Sequence, residues 1–153
     1  MRMVLLKGVS EGGFVFYTNA ESRKGAEIAR NPFGALCFHW KSLGRQVRAE
    51  GRLSEVTAAE ADAYHATRPR QSQIAAWASA QSRVLASRSQ LESRVAEIEA
   101  RYAGKPVPRP PFWTGYRLVP HSIEFWINVA NRLHDRVLFE RDGTQWRSHR
   151  LNP

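Results

Sequence analysis

The sequence holds little of what several common architectures require. Its 153 residues include one cysteine, Cys37, which excludes an internal disulfide framework and a multi-cysteine zinc site. So little cysteine leads us to expect a reducing, cytoplasmic compartment. No apolar run approaches the ~18 residues of a membrane-spanning helix, so no membrane association is expected. The apolar stretch at Met1–Lys7 is too short for a secretory signal. There is no Gly-x-Gly-x-x-Gly fingerprint, no phosphate-binding P-loop and no His-Glu-x-x-His spacing. Dinucleotide binding by the usual motif and a resident metal are therefore not expected. Lysine is scarce, with four residues against nineteen arginines, and no block of five or six basic residues occurs. A basic arm for nucleic acid is thus absent.

What is present is an ordinary globular composition, 42% apolar and 24% charged. The length suits a single domain over 1–153. Twenty-three basic residues against 14 acidic ones give a net charge of +9. Arginine offers a planar fork that meets phosphate or carboxylate with two bonds. The excess points to an anionic partner: a nucleic acid, a phosphorylated small molecule or an acidic surface. Arginine enrichment of this kind also follows from a GC-rich genome.

The chain opens as a strand over Met3–Lys7, turns at Gly12-Gly13 and returns as a β-branched and aromatic strand over Phe14–Thr18. A short helix is predicted over Arg23–Arg30, ended by Asn31-Pro32. Strands follow at Gly34–Trp40 and Gln46–Val56. Thr57 with Glu60 three residues on forms a capping box, opening a helix from Ala58 to Thr67. A second short helix is expected over Ser72–Trp77, and a third over Ser87–Tyr102, where Leu91, Val95, Ile98 and Tyr102 recur at helical spacing. Lys105–Pro111 is a proline-rich connector. The rest reads as strands at Tyr116–Val119, Ser122–Ile127, Val137–Arg141 and Gln145–Leu151, with a turn at Asp142-Gly143. Helices come in blocks after strands, so the fold class is mainly β with segregated helices (α+β), the sheet antiparallel.

Four clusters carry candidate chemistry. Arg2 and Lys7 are joined by Ser22-Arg23-Lys24 at the start of a helix, where backbone N–H groups and the helix dipole favour an anion. A solvated basic turn is the bland alternative. Tyr64 and Arg68 lie four apart on one helix face, followed by Ser72. A phenol, a guanidinium and a hydroxyl together suit a phosphate monoester, though a charged helix end and an N-cap would look the same. Trp77-Ala78-Ser79-Ala80-Gln81-Ser82 is small and polar. Arg132, His134 and Arg136 share parity, so an extended segment would aim them to one face. Two arginines flanking a histidine suit anion binding or proton movement. Cys37 reads as a small core residue. His39, His65, His121 and His149 read as surface or packing residues.

Several stretches carry a further signal: Arg2-Met3-Val4-Leu5-Leu6-Lys7, Phe16-Tyr17-Thr18-Asn19 with Ser22-Arg23-Lys24-Gly25, Arg45-Gln46-Val47, Ser72-Gln73-Ile74 with Ala76-Trp77-Ala78-Ser79 and Gln81-Ser82, Pro106-Val107-Pro108-Arg109-Pro110, Ile123-Glu124-Phe125-Trp126, and Arg132-Leu133-His134-Asp135-Arg136. In this order they resemble the pyridoxine/pyridoxamine 5′-phosphate oxidase family over essentially the whole chain. The resemblance implies an FMN-binding split β-barrel and a homodimer with FMN at its interface. It implies oxidation of pyridoxamine or pyridoxine 5′-phosphate by O2 to pyridoxal 5′-phosphate and H2O2, a step of vitamin B6 salvage. By resemblance, Arg2, Tyr17, Thr18, Arg23, Lys24, Gln46, Gln81, Ser82, Trp126 and Arg136 hold FMN. Lys7, Tyr64, Arg68 and Ser72 hold the substrate phosphate, and Arg132 with His134 the pyridine ring. Arg132 and His134 are the candidate catalytic pair, as positioning and electrostatic groups first and proton carriers second.

The chain departs from the family pattern in three places. It starts inside the first motif, and so reads as N-terminally shortened. Ile127-Asn128-Val129 stands where Gln-Gly is usual after Trp126, and Ala75 where Gly is usual. These departures motivate two alternatives: a split-barrel flavoprotein acting on another substrate, and a relative that binds flavin or pyridoxal phosphate without turnover. A nucleic-acid-binding domain rests on charge alone.

Overall fold

The computed structural model describes all residues, 1–153. In chain order they form β1 (Gly8–Ser10), β2 (Gly13–Asn19), α1 (Arg23–Arg30), β3 (Phe33–Trp40), β4 (Arg45–Glu55), α2 (Ala58–Ala66), α3 (Arg70–Ala78), α4 (Arg88–Arg101), β5 (Trp113–Ile127), β6 (Asp135–Asp142) and β7 (Gln145–Arg150). The strands form one seven-stranded antiparallel sheet in the order β1-β2-β5-β4-β3, with β6 paired to β5 and β7 to β6. This is the mainly-β class with helices in blocks that the sequence predicts. No helix is long and apolar enough to cross a membrane.

The chain divides into two compact units. The first comprises Met1–Gly8, Val15–Asn31 and Glu55–Arg117; the second comprises Val9–Phe14, Pro32–Ser54 and Leu118–Pro153.

The first unit holds all four helices. Ser22 caps α1: its Oγ accepts the Gly25 N–H at 3.2 Å and donates to the Asn19 carbonyl at 2.7 Å. Gly25 is required there, because a Cβ would sit 1.9 Å from the Ala20 carbonyl oxygen. The predicted capping box opens α2, with Thr57 Oγ1 accepting the Glu60 N–H and the Glu60 carboxylate accepting the Thr57 N–H. The start of α2, just after β4, is therefore fixed by side-chain caps. Ile74, Ala78, Ile98 and Val107 form a buried cluster, with Trp77, Val95 and Tyr102 packed against it. A smaller cluster, Val15, Val56 and Ala61, lies against Tyr17.

In the second unit β3 pairs with β4 from Phe33 opposite Arg52 to Trp40 opposite Arg45. The β6–β7 hairpin turns after Asp142, where Gly143 takes a φ of 60°. This is the turn residue that the sequence pattern requires.

The structure corrects several expectations. Met3–Lys7 is not a strand; a backbone bond from Lys7 N–H to the Val15 carbonyl (2.8 Å) is its link to β2. The two strands expected at 116–119 and 122–127 are one strand, β5, running through Pro120. Gly51 makes room for it: a Cβ there would meet the Val119 carbonyl oxygen at 2.0 Å. The α3 helix starts at Arg70 with Pro69 as its cap residue, so Ser72 lies in the first turn and caps nothing. Proline pre-sets the φ that a helix entry needs. Cys37 is exposed, not a core residue, because β3 ends the main strand order and one face of it is open. Arg132 and His134 precede β6, in and after a short 3-10 turn, so the shared strand face expected for Arg132, His134 and Arg136 does not form.

Candidate functional site

An open cavity of ≈ 1090 Å³ lies in the first unit. Its volume is at the upper end of ordinary ligand sites, which run to roughly 1,000 Å³. It gathers eleven of the sequence-predicted site residues: Arg2, Lys7, Tyr17, Thr18, Arg23, Lys24, Tyr64, Arg68, Ser72, Gln81 and Ser82. They come from the irregular segment 1–7, the end of β2, the first turn of α1, the α2–α3 turn and the loop after α3. Five of the lining residues are basic and none is a carboxylate. Only Arg23 of these five pairs with an acid, Glu27 at 2.8 Å on the next turn of α1. Elsewhere Arg48, Arg109, Arg117, Arg136, Arg147 and Arg150 are paired with acids, Arg48 and Arg136 sharing Glu124. Uncompensated cations in a concave site give it a positive potential that favours anions.

At the α1 end, the Lys24 ammonium donates to the Thr18 hydroxyl, which in turn donates to Gln81 Oε1 at 3.3 Å. Burial, and then the charge of Arg2, lowers the Lys24 pKa from its ordinary value. Lys24 stands in the first helical turn, where a cation opposes the helix dipole. A bound anion would relieve that conflict. Ser82 takes a φ of 70° in the left-handed region. For a non-glycine residue that costs of order 1–3 kcal/mol and is held only by its surroundings.

At the α2 end, three rings lie nearly parallel. Tyr17 stacks on Tyr64 with centroids 4.1 Å apart and on Trp113 at 5.2 Å. The Arg68 guanidinium lies 4.7 Å over the Trp113 ring, and Lys7 Nζ lies 5.9 Å from the Tyr64 centroid. Arg68 Nη1 is buried without a hydrogen-bond partner. Burial lowers the Arg68 pKa, against the opposing influence of Tyr64. Burial first, then Glu60 and Tyr64, raises that of Tyr17. Freed from capping, the Ser72 hydroxyl joins the cavity wall.

Gln46, Trp126, Arg132, His134 and Arg136 belong to the second unit and do not line this cavity. Trp126 and His134 rings are 4.6 Å apart, and His134 Nδ1 accepts the Val129 N–H at 3.3 Å. That bond puts the ring proton of the neutral imidazole on Nε2. Asn131 and Arg132 both have left-handed φ values, 58° and 62°. Two adjacent non-glycine residues of this kind mark stored backbone strain. Arg136 bonds Glu124 through Nε (2.8 Å) and Nη2 (3.2 Å), and the Asn152 carbonyl through Nη1 (2.8 Å). Arg48 also donates to Glu124, which is buried. Arg136, then Arg48, holds the Glu124 carboxyl below its usual range.

Sequence reasoning missed Trp113, the platform beneath Arg68. It stands two residues after the proline-rich connector, and the aromatic pair Phe112-Trp113 there was the available signal. No group of acids, histidines and cysteine suitable for a metal ion is present.

The family model described as "Pyridoxamine 5′-phosphate oxidase" matches residues 1–102, and that described as "Pyridoxine 5′-phosphate oxidase C-terminal dimerisation region" matches 113–153. A pyridoxine/pyridoxamine 5′-phosphate oxidase of Rhodospirillum rubrum is 60% identical over 158 residues, covering 100% of this chain and 79% of that protein. One of Myxococcus xanthus is 57% identical over 152 residues, covering 99% and 74%. Among solved structures, PhzG from Burkholderia lata 383, in complex with tetrahydrophenazine-1-carboxylic acid, is similar with a TM-score of 0.92 and 34% identity. The match covers 99% of this chain and 74% of that one. A pyridoxamine 5′-phosphate oxidase-related, FMN-binding protein of Nostoc punctiforme PCC 73102 shares the fold, with a TM-score of 0.76 at 17% identity. These likenesses bear out the split-barrel fold class.

Proposed function

Because the chain belongs to the pyridoxamine 5′-phosphate oxidase family, we propose that it is an FMN-dependent oxidase of pyridoxamine or pyridoxine 5′-phosphate. The products would be pyridoxal 5′-phosphate and H2O2. The observation that carries this reading is the acid-free cavity, with four cations that no carboxylate neutralises. Both FMN and the substrate bear a phosphate monoester, and the cavity offers basic groups at both ends.

The donor set fits FMN. Arg2, Arg23 and Lys24 supply positive charge beside the Thr18, Gln81 and Ser82 polar groups, and the Lys24–Thr18–Gln81 chain holds Lys24 in place. Resemblance adds Tyr17, and Gln46, Trp126 and Arg136 from the second unit. The C-terminal dimerisation region supports a homodimer, and the resemblance places FMN at its interface. When bound, FMN accepts the two electrons and O2 takes them on. The protein's own task is therefore to bind, orient and exclude water rather than to supply a nucleophile.

On this reading Arg68 and Lys7 bind the substrate phosphate with charge-assisted bonds, and the Tyr64 and Ser72 hydroxyls complete its coordination. Arg132 and His134 orient the pyridine ring, with His134 presenting Nε2–H as a donor because Val129 occupies Nδ1.

A second reading, a flavoprotein acting on another substrate, is favoured by one observation. Asn128 stands where the family pattern has glycine, and its side chain occupies the space beside Gly44 before β4, where a Cβ on Gly44 would lie 3.0 Å from the Asn128 Cβ. The likeness to PhzG is compatible with it. The unpaired Arg68 and Lys7 favour a phosphorylated substrate over that alternative. Anaerobic addition of pyridoxine 5′-phosphate to the FMN-loaded protein tests both: loss of the flavin colour supports the first reading, and a flavin that stays oxidised supports the second or a binding role without turnover.

A further inference from the structure

His65 has no part in the reading above, yet it sits directly behind the proposed phosphate site. It is 2% exposed and lies on α2, one residue after Tyr64 and three before Arg68. Its ring meets Trp113 edge-on, with centroids 5.3 Å apart, and Arg68 lies over the same Trp113 ring at 4.7 Å. The Arg68 N–H donates to the His65 carbonyl at 3.1 Å, so the two residues share one turn of chain. Each also carries a buried side-chain nitrogen with no hydrogen-bond partner: Nε2 of His65 and Nη1 of Arg68. A guanidinium nitrogen can only donate, and a neutral imidazole has one nitrogen that accepts. Buried polar groups of this kind are nearly always satisfied.

We propose that His65 is a positioning residue for Arg68, its Nε2 accepting a hydrogen bond from one buried water that in turn accepts the Nη1 proton. The imidazole must then be neutral with its proton on Nδ1. Burial and the charges of Arg68 and Arg109 push its pKa down to about 4, against the opposing pull of Asp62. Asp62 is itself held by Arg109 at 2.6 Å, which also donates to the Trp113 carbonyl at 2.6 Å. A neutral acceptor orients Arg68 without neutralising it. A carboxylate in that place would cancel the charge that the ligand needs. The guanidinium is thus anchored along one edge and left free along the other for the substrate phosphate. This inference rests on the reading of Arg68 as a phosphate ligand.

Two measurements on the full FMN-loaded chain test it. Calorimetric titration with pyridoxal 5′-phosphate compares wild type with His65→Phe, which keeps a ring against Trp113, and His65→Gln, which restores an acceptor. The expected result is a Kd roughly tenfold weaker for His65→Phe and near wild type for His65→Gln, with FMN affinity unchanged in both. Equal affinities in all three proteins, or equal losses in both variants, overturn the proposal. The 15N shifts of the His65 ring report the tautomer without any ligand. An Nδ1–H, bare-Nε2 ring supports the proposal, and an Nε2–H or doubly protonated ring overturns it. Absence of ligand binding by wild type would contradict the phosphate-site reading, while the tautomer would still decide the role of His65.

Discussion

The Arg68 guanidinium lies 4.7 Å over the Trp113 ring, with no carboxylate to neutralise it. The ring offers its negative face to the cation, and this supports the charge without cancelling it. Stacking with Tyr17, itself against Tyr64, holds the platform in place. The α2–α3 turn thus presents a fixed, uncompensated cation to the cavity.

Arg68→Ala is accordingly expected to weaken pyridoxal 5′-phosphate binding by about ten- to hundredfold, the range for a lost charge-assisted bond. Calorimetry on the FMN-loaded protein checks this. FMN affinity should change little, and a large loss of FMN would place Arg68 at the wrong phosphate.

Lys24→Ala removes both a cavity cation and the donor to Thr18. The predicted effect is an FMN Kd roughly tenfold higher or more, read by flavin fluorescence quenching. Unchanged affinity would remove Lys24 from the cofactor site.

Arg132→Ala and His134→Ala should lower kcat/KM by on the order of 100-fold while the protein keeps its flavin. Steady-state kinetics beside the bound-flavin absorbance make the comparison. Loss of flavin with activity would assign these residues to the cofactor instead.

Stability should depend on His65 in mildly acid solution. Its folded pKa of about 4 lies below the ordinary 6.5, so between these values the unfolded chain takes up a proton that the folded chain refuses. The stabilisation is complete above pH 6.5 and is lost as pH falls toward 4. Between pH 7 and pH 5 the loss is about 2 kcal/mol. Urea unfolding at the two pH values measures it, and His65→Gln should reduce the difference by most of that amount. An unaltered difference in the variant would show that His65 titrates normally.

Much of the fold was legible because local signals and tertiary context agree. Thr57 with Glu60 opens α2 as predicted, and the repeat of Leu91, Val95, Ile98 and Tyr102 marks α4. Disagreement arose where a distant residue decides the outcome. Pro120 reads as a break in any local window, but Gly51 on β4 admits its backbone and the strand continues. Cys37 sits in an apolar strand, and only the strand order reveals that its face is open.

The site was legible in part for the same reason. Motif residues at the two phosphate-type clusters converge on one cavity. Arg132 and His134 were assigned a shared strand face with Arg136, yet the 3-10 turn before β6 removes them from the strand. Trp113 and His65 stayed hidden because their importance lies in contact with Arg68, which residue type and spacing do not encode.

The central claim is best tested by the visible spectrum of the purified protein with FMN, followed by pyridoxine 5′-phosphate without oxygen. We predict a protein-bound flavin spectrum that bleaches on addition of substrate and returns when O2 is admitted. Bound flavin that keeps its colour, or no bound flavin at all, would contradict the account.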